Sequence, residues 1–148
     1  MTKEAVAFVL AILSLAACGG GAKEATGPST VERPVCEVGF SPPSGFEPLE
    51  TFREEYSDHI GLRVGFRDER RRELHAFAGI PGEFGEGLSI EATVELADGG
   101  SGWLLGEGAV WVLTWREGGV CDPRAVLGNG FDPTAFESVL QEAGILPA

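Results

Sequence analysis

The chain has 148 residues, 43% of them hydrophobic, and its 23 acidic against 11 basic side chains give a formal net charge of −12. So acidic a polypeptide is repelled by nucleic acid and by anionic lipid surfaces, which excludes nucleic acid as an expected partner and leaves cations or basic proteins open. The length suffices for one domain with a core of its own and little besides.

Residues 5–17 form an uncharged apolar run of 13 residues. A bilayer-spanning helix needs roughly 20, whereas a signal h-region runs about 7 to 15. Lys3 and the α-amino group precede the run, opposed by Glu4. It ends in Leu15-Ala16-Ala17-Cys18, a large aliphatic residue, two small residues and a cysteine. This motif resembles a bacterial lipobox. The resemblance implies a signal peptide over residues 1–17, lipidation of the Cys18 thiol, and a mature lipoprotein on the extracytoplasmic face of a cell membrane or outer membrane. An ordinary secretory peptide cut after Ala17, or an uncleaved anchor, are the alternatives. Gly19, in place of Asp, is by the same resemblance no retention signal for an inner membrane. Two or three acyl chains, at ~0.8 kcal/mol per buried methylene, hold a protein to a bilayer where a single chain does not.

Residues 18–34 then read as the lipidated cysteine and a flexible linker, rich in Gly, Ala, Ser, Thr and Pro and free of aromatics. Its average reach is about 20 to 25 Å. Residues 35–148 read as a single β-rich domain. With Cys18 consumed, Cys36 and Cys121 are an even pair in an oxidising compartment, expected to be bonded. A redox-active pair would use C-x-x-C spacing, which is absent.

The region Phe46–Tyr56 fits a strand or an irregular helix. Ile60, Leu62, Val64 and Phe66 alternate with Gly61, Arg63, Gly65 and Arg67, the period of a strand covered on one side. The charged turn Arg67–Glu73 follows, and Leu74, Ala76, Ala78 and Ile80 resume the alternation, so residues 59–80 predict a hairpin with its centre near residues 69–71. Pro81–Gly87 breaks the pattern. Leu88, Ile90, Ala92, Val94 and Leu96 alternate with Ser89, Glu91, Thr93 and Glu95, a strand with an acidic outer row. After the turn Asp98–Gly102 come a short strand over Trp103–Gly106 and a strand over Ala109–Trp115 that is apolar on both faces, as for a central strand or one whose second side awaits a ligand. A last strand lies around Arg124–Leu127.

The C-terminal helix is written in its ends. Asp132 suits the N-cap, Pro133 the first helical position, and Phe131 with Phe136 a hydrophobic staple. Gly144 supplies the left-handed stop, with Ile145 placed to touch Leu140. Phe136, Val139, Leu140 and Ala143 form a stripe that needs a sheet beneath it. The expected fold is therefore α+β: an antiparallel sheet of five to seven strands with one C-terminal helix packed on one face. Residues 88–146, with a Gly-rich turn, a tryptophan-bearing strand ending at Trp115, a short strand and a final helix, resemble an uncharacterised domain of extracytoplasmic lipoproteins and anti-sigma regulators. That resemblance carries no functional residue.

Catalytic constellations are sparse. Ser101 lies in a hairpin turn and lacks the final glycine of a nucleophile elbow. His59 and His75 fall on the two arms of the first hairpin, His59 near Ile80 and His75 opposite about Gly65, and read as solvated strand histidines; no metal or cofactor is expected. Glu83 and Glu86 in a glycine-rich loop, and Glu91 with Glu95, read as a solvated acidic face before a weak cation site. The basic turn reads as solvated before it reads as a contact for anionic headgroups or wall polymer. Trp103, Trp111 and Trp115 are the best candidates for a binding surface, although Trp111 and Trp115 share a face and suit the core under the helix. These features predict a lipid-anchored, non-enzymatic module of the bacterial envelope, held to the membrane through Cys18, that binds an envelope protein or a small apolar ligand. The alternative is a small envelope hydrolase or cation-dependent enzyme using clustered carboxylates.

Overall fold

A computed structural model of the chain describes residues 32–82 and 87–148. The signal segment, Cys18, the linker up to residue 31, and Glu83 and Glu86 lie outside the described residues. Seven strands follow in chain order: β1 (Glu47–Glu55), β2 (Ile60–Arg67), β3 (Glu73–Ala78), β4 (Ser89–Glu95), β5 (Ser101–Glu107), β6 (Val110–Trp115) and β7 (Arg124–Asn129), then one helix, α1 (Pro133–Glu142). The region left open between strand and helix is thus strand, and the short strand at Trp103 is seven residues long.

The strands form one sheet in the order β1-β2-β3-β7-β6-β5-β4, with every neighbouring pair antiparallel. Hence the fold is α+β and mostly sheet. β7 joins two three-stranded meanders by inserting between β3 and β6. Its residues explain the place: Ala125 and Val126 point to opposite faces and are both buried, the mark of a central strand. In the first hairpin Arg67 pairs with Glu73 and Gly65 with His75, so its centre falls at residue 70 as the alternation predicts.

One face of the sheet carries the core. Leu74, Ala76, Leu104, Trp111, Leu113 and Val126 pack against Phe136, Val139 and Leu140 of α1, with Phe131 and Leu146 closing the flanks. The helix ends obey the sequence. Asp132 Oδ1 accepts from the Ala135 amide at 2.7 Å, the Phe131 and Phe136 rings lie 6.0 Å apart, and the Ile145 amide donates to the Leu140 carbonyl at 2.9 Å past Gly144, whose φ is +79°. Such a cap contributes about 1 kcal/mol.

The turn Arg67–Glu73 departs from a wholly solvated turn. Asp68 takes the Arg70 and Arg72 amides and the Arg72 side chain, and the Arg72 guanidinium lies 4.8 Å from the centre of the Phe131 ring. Asp68 and Arg72 are therefore half-buried against the core, while Arg67 and the tip Glu69–Arg71 are exposed. At the opposite end of the sheet, Cys36 and Cys121 are bonded, with S–S 2.02 Å. They are 85 residues apart; closing such a loop stabilises by about 4.5 kcal/mol if the denatured-state entropy model holds. Among the described residues no helix is long and apolar enough to cross a membrane.

Candidate functional site

Directly opposed residues in an antiparallel sheet share a face, so the register assigns the surface away from α1. Phe52, Arg63, Phe77, Ala125, Thr114 and Trp103 form one cross-strand row there. His75, Leu127, Val112 and Leu105 form the next. Val112 and Ala125 are buried although they lie outside the core under α1. The ends of the first row are open: Phe52 is 45% and Trp103 43% exposed.

A groove runs over β1, β2 and β3 on this face. Two cavities share Phe52, one of about 190 Å³ lined by Phe52, Glu54, Arg63, Phe77 and Ile80, the other of about 290 Å³ lined by Leu49, Glu50, Phe52, Arg67, Glu73 and His75. Gly65 makes room for the imidazole, since a Cβ there would stand 2.9 Å from His75 Nδ1. In the second cavity the charges are matched to one another. Arg67 donates to Glu73 Oε2 at 2.6 and 3.0 Å, and His75 Nε2 donates to Glu73 Oε1 at 2.9 Å. These hydrogen bonds, His75's first and Arg67's next, hold the Glu73 carboxyl below its ordinary range, so it is an anion rather than a proton donor near neutral pH.

The first cavity holds Arg63 and Glu54, and among the described residues Arg63 makes no ion pair. The Arg63 guanidinium stacks over the Phe52 ring, 4.1 Å from its centre. Across the rim, burial and the Glu54 carboxylate push the Tyr56 phenol up from its ordinary value. A guanidinium stacked on an aromatic ring keeps its N–H edge available for a planar anion. The groove can therefore hold an apolar or aromatic body with a polar end. Among the described residues its lining offers no hydroxyl or thiol nucleophile.

The three tryptophans do not form one surface. Trp103 lies on the open face, three strand positions from Phe77 along the same row, whereas Trp111 and Trp115 are buried on the α1 side. Their indole N–H groups reach the rim, Trp111 to the Gly108 carbonyl and Trp115 to Glu117 Oε2, both at 3.0 Å. The edge of Trp115 borders a depression of about 370 Å³ with Leu96, Asp98, Gly100, Arg116 and Glu117.

His59 corrects the reading of a solvated histidine. It is buried, stacked on Tyr56 with ring centres 4.7 Å apart, and both its nitrogens have acceptors at 2.6 Å, Asp58 Oδ1 and the Gly79 carbonyl. Only an imidazolium can donate to both. The Asp58 hydrogen bond first, then the Gly79 carbonyl, raise the His59 pKa. The ring closes the end of the sheet beside Cys36: a Cβ on Gly79 would meet Cys36 Sγ at 2.5 Å and His59 Cδ2 at 3.0 Å.

Among the described residues no group of three or more His, Cys, Asp or Glu side chains is placed to hold a metal ion. No family model, curated protein or solved structure matches the chain. Sequence reasoning did not single out Phe52, Arg63 or Phe77. A signal was present, however: Phe77 sits between Ala76 and Ala78 on the face that the alternation assigns to solvent.

Proposed function

We propose that this protein is a lipid-anchored, extracytoplasmic binding module of a bacterial envelope that works without catalysis, and that its groove over β1–β3 is where it binds. The observation that carries the reading is the pairing of Leu15-Ala16-Ala17-Cys18 with a domain closed by a Cys36–Cys121 disulfide. Lipobox-like spacing implies export and acylation, and a disulfide belongs to an oxidising compartment. The groove supports binding before chemistry, because Glu73, Arg67 and His75 satisfy one another and the remaining walls are mainly apolar.

Metabolic labelling with an alkyne fatty acid tests the anchor. Label on the wild-type chain and none on Cys18→Ser is expected, with the mature chain beginning at residue 18. An unlabelled chain that fractionates with soluble protein and keeps residues 1–17 overturns it. Cross-linking in cells from position 52, followed by recovery of the anchored chain, tests the binding role; turnover of any substrate by the purified chain would replace it with the enzymatic alternative.

A further inference from the structure

We propose that the groove takes a small amphiphilic monocarboxylate, its apolar body on Phe52, Phe77 and Ile80 and its carboxylate against Arg63. This deepens the binding-module reading and rests on it. Four arginines among the described residues are half-buried: Arg33, Arg63, Arg72 and Arg124. Arg33 is held by Glu55 and the Tyr56 carbonyl, Arg72 by Asp68, and Arg124 by Glu117 and the Glu37 carbonyl. Arg63 has the Phe52 ring beneath it and, among the described residues, no carboxylate or carbonyl.

A guanidinium that has given up part of its water and gained no acceptor is a costly arrangement in a chain with acids to spare. Stacking on Phe52 fixes its plane, and a planar cation held in that way matches the fork of a carboxylate. The cavity around it sets the rest of the ligand. At about 190 Å³ it falls below the roughly 300 Å³ at which sites for drug-sized ligands begin, which suits one short chain or one ring. Glu54 on the rim and Glu50 and Glu73 in the adjoining cavity repel a second negative group, so a monoanion is favoured over a phosphomonoester dianion.

Equilibrium dialysis of the full chain in lipid nanodiscs, corrected for empty nanodiscs, tests this with octanoate, octyl phosphate and octanol. Octanoate should bind more tightly than the other two. Arg63→Gln should weaken octanoate about ten- to a hundredfold, the worth of a charge-assisted hydrogen bond, and leave octanol unchanged. Arg63→Lys should restore part of the loss, and Glu54→Gln should tighten octanoate. Equal binding of octanoate and octanol, tighter binding of octyl phosphate, or an Arg63→Gln chain that binds octanoate like the wild type overturns the ligand class alone. A chain that binds no probe overturns the groove as a ligand site as well.

Discussion

The two faces of this sheet are made by the same strands and built to different ends. Beneath α1, every strand but β1 contributes residues to one core, and close approach is carried to the point where Gly106 and Gly128 lie under the rings of Trp111 and Phe136. On the other face, one residue along each strand, Arg63 stands between Phe52 and Phe77 over β1–β3, and the ends of that row, Phe52 and Trp103, are nearly half exposed. Alternation along a strand lets one segment serve both needs. The centre of the second face is closed as well, at Val112 and Ala125, so the part left open toward a ligand is the one over β1–β3.

The sharpest way to break that contrast is to remove Phe136, which is fully buried between α1 and the sheet. Phe136→Ala should destabilise the fold by about 3–5 kcal/mol, the usual cost of deleting a core aromatic, measured by denaturant unfolding. A loss below about 1 kcal/mol would mean that α1 is not what closes the core. Overfilling the same face is next in size. A Cβ on Gly106 would stand 2.0 Å from the Trp111 ring, so Gly106→Ala should cost about 1–3 kcal/mol and shift the near-ultraviolet signal of Trp111. Unchanged stability there would show that the ring can move aside.

That asymmetry also explains what the sequence disclosed. The strands of the first hairpin, its register, the capped helix and the disulfide are local or chemical signals: alternation, Asp132-Pro133, and two cysteines left after the first. The insertion of β7 between β3 and β6 is not local. Arg124–Leu127 reads as a strand from its own residues, but its neighbours are chosen by which two sheet edges need a partner apolar on both sides. The candidate site was hidden for a related reason. Phe52, Arg63 and Phe77 come from three strands, and only the register brings them into one row. The tryptophans were the louder signal, and two of the three belong to the core. His59 misled because a histidine next to Asp58 reads as surface until Gly79 comes over it.

His59 lies at the end shared by both faces and gives a pH test of smaller size. Its folded pKa is raised above the ordinary value of about 6.5, so its contribution is complete below that pH and is lost as pH rises through the folded value. The partner Asp58 is lowered, so the pair also weakens in strong acid, as pH falls through the depressed carboxyl value. The stability advantage of wild type over His59→Gln should therefore shrink as pH rises above about 6.5 and through the raised folded value. A constant or growing difference would mean that the ring is neutral and that one of its acceptors is met by water.

The smallest stability effect should come from the open face, and its smallness is the point. Phe52 is 45% exposed and, besides stacking with Arg63, buries only part of its ring against β2, so Phe52→Ala should cost less than about 1 kcal/mol. The same substitution removes a wall common to both cavities and releases the Arg63 guanidinium to solvent. Octanoate binding should then fall while the unfolding midpoint stays close to wild type. If Phe52→Ala instead unfolds the domain as Phe136→Ala does, the row from Phe52 to Trp103 is a second core, and the two faces differ only in how much each is covered.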